Sequence, residues 1–133
     1  RHREALGRFV RDHVDILFAN EDEAASLCDS DIASATETLC GQVGEAVITR
    51  GENGAFVGSG DIRHECAAQP FGGVEDTTGA GDLFAAGYLF GRTNGRDPLA
   101  SGLIASLAAG EVISHIGARP QADVAAMIAA EKL

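Results

Sequence analysis

Tryptophan is absent from the chain, and aromatic side chains of every kind make up only 5% of it. Whatever core forms must therefore pack through Ala, Leu, Ile and Val, with close, small-residue seams between helices. Cysteine is nearly as scarce. Cys28, Cys40 and Cys66 are odd in number and widely spaced, with no Cys-x-x-Cys and no paired His, so neither a disulfide framework nor a zinc site is indicated and reduced thiols in the cytoplasm are expected. Basic residues number 10 against 20 acidic ones, giving a net charge of −10 and a pI near 4.6. That balance argues against non-specific binding to nucleic acid, whose affinity comes from Lys and Arg neutralising phosphates. A nucleotide would have to be held by local donors and metal. Long apolar runs are missing too: the richest stretch, 103–116, is broken by Ser106, Gly110, Glu111 and Ser114, so no membrane span is expected, and no signal peptide is seen. Two familiar nucleotide signatures are also absent, Gly-x-Gly-x-x-Gly after a strand and Gly-x-x-x-x-Gly-Lys-Ser/Thr, which disfavours dinucleotide dehydrogenases and P-loop enzymes.

What is present suits one modest core: 133 residues, 45% hydrophobic, with no repeat, low-complexity segment or linker, so one domain is expected. Leu6, Phe9, Val10 and His13 fall on one face of a helix expected from Arg1 to His13. Val14 to Ala19 reads as a buried strand ending at Asn20, which thus lies at a strand's C-terminal end, where open α/β sheets bind ligands. A short helix follows, Glu21 to Cys28, then a second from about Ile32 to Leu39, with Ser30 or Asp31 as its N-cap and Gly41 as its stop. Ala46 to Thr49 is the next strand. Gly51-Glu52-Asn53-Gly54 and Ser59-Gly60-Asp61 then make two successive hairpins, through Ala55 to Gly58 and an alternating strand from Ile62 to Ala67. A loop over Gln69 to Glu75 leads to helices at Asp82–Gly91, Pro98–His115 and Gln121–Lys132.

The most informative segment is Asp76-Thr77-Thr78-Gly79-Ala80-Gly81-Asp82, running into an apolar helix. Gly79 and Gly81 free the backbone to aim N–H groups at one place, and the helix start adds unpaired donors and a positive dipole end, so the turn is an anion site suited to phosphate. Asp82 is out of place beside an anion unless it takes a proton from an attacking hydroxyl in phosphoryl transfer. The plainer reading makes it the helix N-cap. Asn20 and Glu23 admit two readings as well: holding a hydrated magnesium ion, or forming a capping box. Thr49, Gly51 and Gly54 are either a nucleotide loop or only a hairpin, and strand alternation turns Arg50 away from Thr49's side. Asp76 and Thr78 either contribute oxygens to a monovalent cation or satisfy backbone N–H groups of a polar loop. His115 reads as a C-terminal helix cation without chemistry. Ala105, Ser106 and Ala109 fit either an adenine pocket or close helix packing.

The Asp76–Asp82 heptapeptide resembles the C-terminal signature of the ribokinase-like (PfkB) family of sugar and nucleoside kinases. Asn20-Glu21-Asp22-Glu23 resembles that family's Asn-x-x-Glu motif, and Thr49-Arg50-Gly51-Glu52-Asn53-Gly54 its Thr-x-Gly-x-x-Gly loop, in the same order. The likeness covers roughly residues 14–120. It implies a partial α/β, three-layer ribokinase-like fold, a largely parallel sheet with antiparallel hairpins, flanked by helices. It also implies ATP-dependent phosphorylation of a sugar or nucleoside hydroxyl, with Asp82 as catalytic base and Gly79, Ala80 and Gly81 as anion hole. Thr49, Gly51, Gly54 and Thr78 would bind nucleotide, Asn20 and Glu23 would serve magnesium through water, and Asp76, Thr78 and Gly117 would serve potassium. Gly117-Ala118 sits where the family closes the ATP pocket, but Arg119-Pro120-Gln121 replaces the serine or similar group often found just beyond, which leaves the last cation ligand open. Asp15–Glu23 and Val112–Pro120 look similar to bacterial adenosine kinase-like members. Alternatives are a non-catalytic nucleotide-binding regulator and a vitamin kinase of the pyridoxal or hydroxymethylpyrimidine type. By resemblance, residues 1–133 are the C-terminal ATP-binding and catalytic portion, the acceptor-binding half and its lid belong upstream of Arg1, and there is room for a homodimer of the full-length protein.

Overall fold

The structure is a computed structural model that describes residues 2–69 and 71–133; the expected helix start at Arg1 and the Pro70 position of the 69–75 loop lie outside them. Among the described residues the elements run α1 (Arg3–His13), β1 (Ile16–Asn20), α2 (Glu21–Cys28), α3 (Ile32–Gln42), β2 (Glu45–Thr49), a 3-10 turn (Gly51–Asn53), β3 (Ala55–Ser59), β4 (Ile62–Cys66), α4 (Ala80–Thr93), α5 (Pro98–Val112) and α6 (Val124–Ala130). The strands form one sheet in the order β1-β2-β3-β4. β1 and β2 run parallel, with Ile16 opposite Glu45 and Asn20 opposite Thr49. The links from β2 to β3 and from β3 to β4 are too short for a crossover, so both are antiparallel hairpins and the sheet is mixed. The described residues thus form a mixed α/β fold.

The described residues group into two compact units, the chain up to Arg50 with Phe56–His64, and Gly51–Ala55 with Glu65–Leu133. In the first, Ala24, Ala35, Leu39, Ala46 and Ile48 form the centre of an apolar cluster, each 0% or 1% exposed. Val10 is the member from α1, while Leu6 and Phe9 are more than half exposed, so only part of the expected apolar face is buried. α3 continues past Gly41 to Gln42 because Val43 N–H still reaches Leu39 O, at 3.1 Å. Glycine weakens a helix interior without ending it. The chain leaves instead at Gly44, where a Cβ would stand 2.9 Å from Asp15 O and the next residue, Glu45, donates its N–H to that carbonyl. Arg63 on β4 forks onto Glu37 of α3 through two hydrogen bonds.

In the second unit the scarcity of aromatics has the consequence expected of it. α4 and α5 pack at glycine: a Cβ on Gly87 would stand 2.8 Å from Ala105 Cα, and one on Gly91 would stand 2.6 Å from Ser101 Oγ. α4 runs past Gly91 to Thr93, with Asn94 N–H still reaching Phe90 O at 3.1 Å. Ala105 thus serves the seam. Tyr88, Ile104 and Val112 are fully buried beside it. α5 begins at Pro98, with Asp97 accepting from Ala100 N–H, and ends at Val112 rather than His115. α6 starts at Val124 rather than at Gln121, because Asp123 lies in extended backbone and caps it, accepting from Ala126 N–H at 3.0 Å; the N–H groups of Gln121 and Ala122 lie before the helix. All three cysteines are thiols, and burial pushes those of Cys28 and Cys40 up. Among the described residues no helix is long and apolar enough to cross a membrane.

Candidate functional site

The first unit brings Asn20, Glu23 and Thr49 to one end of the parallel ladder. Asn20 closes β1 opposite Thr49, the last residue of β2, so both stand at strand C-termini. Asn20 then caps α2. Its Oδ1 accepts from Glu23 N–H at 2.8 Å, and Glu23 Oε2 accepts from Asn20 N–H at 2.9 Å, a complete capping box. The pair is exposed, and Glu23 Oε1 takes no part in the box. Arg50 follows strand alternation: with Ile48 and Phe56 it lines a cleft of about 330 Å³ beside α3, of which Thr49 is not a lining residue.

The second unit carries the glycine positions. Gly51 and Gly54 have φ of +55° and +82°, the left-handed region that favours glycine. A Cβ on Gly54 would lie 2.0 Å from Cys66 O, so the turn can close onto 66–68 only with glycine there; above Gly51 the space is open.

Around α4 the arrangement differs from a simple capped helix. The N-cap is Gly79, at φ +82°, and no side chain caps the helix. Asp82 is the third helical residue, so the reading that makes it the cap is replaced by Gly79: its carboxylate stands in the exposed first turn, and of the turn's leading N–H groups that of Ala80 donates to Thr77 O at 3.2 Å. Nothing would meet a Cβ on Gly81, whereas one on Gly79 would lie 2.7 Å from Ala118 Cβ. Gly79 is thus closed from one side by the 117–118 turn while Gly81 is open.

Asp76 ties that turn to the segment that leads into α4. Its Oδ1 accepts from Thr78 N–H at 2.9 Å and its Oδ2 from Gly117 N–H at 3.1 Å. The Thr78 side chain, then the Thr78 and Gly117 N–H groups, hold the Asp76 carboxyl below its usual value. The polar-loop reading of Asp76 is therefore met in full. Glu75 and Asp76 also donate their N–H groups to Ile113 O.

The contacts of one buried charge here were not legible in the sequence. Glu111, which served there only as a break in an apolar run, is 4% exposed on the last turn of α5. Its Oε1 accepts from Gln121 and Ala122 N–H, each at 2.8 Å, and lies 3.2 Å from His115 Nε2. Burial pushes this carboxyl up, but those two N–H groups and His115 outweigh it and hold it below its usual value. His115 lies three residues beyond the helix rather than at its end, facing Glu111. The signal available in sequence was a Glu-x-x-x-His pair inside an otherwise apolar helix.

Residues 3–125 match the model of the pfkB family carbohydrate kinases, and the chain belongs to that family. It is 41% identical over 98 residues to a cytidine kinase of Thermococcus kodakarensis, covering 71% of this chain and 35% of that protein. Among solved structures, it resembles a probable sugar kinase from Rhizobium etli (TM-score 0.94, 39% identity, 99% of this chain and 41% of that one). It also resembles an adenosine kinase from Sinorhizobium meliloti (TM-score 0.90, 41% identity, 99% of this chain and 40% of that one). The chain spans 35–42% of the length of the curated relatives it matches.

Proposed function

We propose that residues 1–133 are the ATP-binding, catalytic portion of a longer cytoplasmic kinase that phosphorylates a hydroxyl of a nucleoside or sugar, with an adenosine-like acceptor favoured. The observation that carries the reading is the start of α4: an uncapped helix N-terminus behind a left-handed glycine, open at Gly81, with Asp82 in its first turn. Asp82 takes the proton of the acceptor hydroxyl as its oxygen bonds to the γ-phosphorus. The bond from that phosphorus to the β,γ-bridging oxygen breaks, and ADP leaves. The N–H groups of Gly79, Ala80 and Gly81 are the donors proposed for the charge that develops on the transferred phosphoryl group, that of Ala80 being shared with Thr77 O, 3.2 Å away.

In the same reading Thr49, Gly51, Gly54 and Thr78 serve the nucleotide. The hard oxygen donors of Asn20 and Glu23 suit magnesium held through water, because the capping box leaves Glu23 Oε1 available. When bound, the metal would neutralise phosphate charge; Asn20 and Glu23 orient its water shell. Asp76, Thr78 and Gly117 are proposed for potassium, with the carboxylate kept charged by the bonds from Thr78 and Gly117. The acceptor preference draws on the adenosine kinase of Sinorhizobium meliloti and the cytidine kinase of Thermococcus kodakarensis. A homodimer of the full-length protein is part of the same proposal. The test is ADP formation by the full-length protein with magnesium and ATP against adenosine, cytidine, guanosine, ribose and fructose. Turnover with a nucleoside exceeding that with either sugar is expected; nucleotide binding without turnover on any of them would make the protein a binder and not a kinase.

A further inference from the structure

The segment from Ile113 to Ala122 has little apolar reason to stay where it is. Ile116 is 81% exposed, and 118–122 are exposed throughout. Yet its middle is held closely, with Ala118 standing where a Gly79 side chain would be and Gly117 bonded to Asp76. Its near end is fixed by Ile113 O, which accepts from Glu75 N–H at 2.9 Å. Its far end is fixed by a single atom, Glu111 Oε1, which gathers the N–H groups of Gln121 and Ala122. A buried carboxylate is an expensive anchor, since removing its charge from water costs more than most surface contacts return unless every bond to it is good. Glu111 is only half satisfied: Oε2 is buried with no hydrogen-bond partner among the described residues. An apolar residue would suit the interior of α5 better if burial alone were at stake.

We propose that Glu111 is a positioning residue for phosphoryl transfer, latching the 117–122 segment so that Gly117 and Ala118 hold the Gly79 hinge and the first turn of α4 in the shape that presents Gly81 and Asp82. The proposal rests on the kinase reading of that turn. Glu111 touches no reacting atom; it acts through the backbone of Gln121 and Ala122. Loss of the latch frees the turn to move off Gly79, and misplacement by about 1 Å is enough to cost rate on the order of 10²-fold.

The test is made in the full-length protein with Glu111→Ala and Glu111→Gln, at a temperature where thermal melts show each variant folded. Two quantities are read: the split between kcat and acceptor KM, and hydrogen exchange in peptides covering 77–83, 117–123 and 100–109. For Glu111→Ala the expectation is a kcat reduced roughly tenfold or more, an acceptor KM changed less than about twofold because uniform binding is untouched, and faster exchange in 77–83 and 117–123 with 100–109 unchanged. Glu111→Gln, which keeps one acceptor oxygen, should fall between it and the wild type, and it decides the question alone if the alanine variant does not fold. Unchanged kcat, or faster exchange in 117–123 without any change in 77–83, would overturn the latch. So would acceleration across all three peptides with activity falling only as the folded fraction falls. Absence of turnover in the wild type would count against the kinase reading instead, and the exchange pattern would still decide whether Glu111 holds the hinge.

Discussion

Single side chains in this protein carry two duties, and their tests separate them. Glu23 closes the capping box on Asn20 and is also the proposed anionic partner of hydrated magnesium. Glu23→Gln preserves an acceptor oxygen for the box and removes the charge. The full-length variant should therefore need a higher magnesium concentration for half-maximal rate while its melting temperature hardly moves; an unchanged magnesium titration would leave Glu23 as a helix-start residue alone. Glu111 gives a pH prediction. Its folded carboxyl titrates below its usual value, so the stability it contributes is fully present above the ordinary glutamate range and is lost as pH falls through the lowered folded value. Between neutral pH and about pH 3, Glu111→Gln should accordingly lose less stability than the wild type. Parallel acid-unfolding curves for the two proteins would contradict the assignment.

Helices and strands were read from pattern, and they hold where the pattern had a local cause. α2 was expected at Glu21–Cys28 and is found there, because Asn20 and Glu23 write its start into the sequence. The boundaries that moved are set by single backbone bonds and caps. α4, expected over 82–91, continues to Thr93 because Asn94 N–H still reaches Phe90 O at 3.1 Å. α6 begins at Val124 because Asp123 is its N-cap and accepts from Ala126 N–H. The site behaves alike: the glycines and Asp82 were legible as a motif, while Glu111 was not, since its meaning lies in partners ten and eleven residues away. The α4–α5 seam supplies a prediction at this scale. Gly87→Ala puts a methyl 2.8 Å from Ala105 Cα, a backbone atom that cannot swing aside. It should cost about 1–3 kcal/mol, seen as a lower denaturant midpoint at unchanged slope; a midpoint equal to wild type would mean the helices separate freely.

For the molecule as a whole, the decisive fact is length: the chain spans 35–42% of its curated relatives. In-line transfer needs an acceptor held against the γ-phosphate and water kept out, tasks assigned by resemblance to residues upstream. Residues 1–133 alone should therefore show no turnover with adenosine or ribose while still binding ADP weakly in a calorimetric titration. Turnover by these residues alone would place the acceptor site within them. The central claim concerns Asp82 and is tested most directly by one comparison, the kcat of full-length Asp82→Asn against wild type at saturating ATP, magnesium and nucleoside. The account predicts a loss of roughly 10²-fold or more, the scale of general base catalysis, with nucleotide affinity little changed. A variant turning over at close to the wild-type rate would contradict it and leave Asp82 as a helix-start carboxylate.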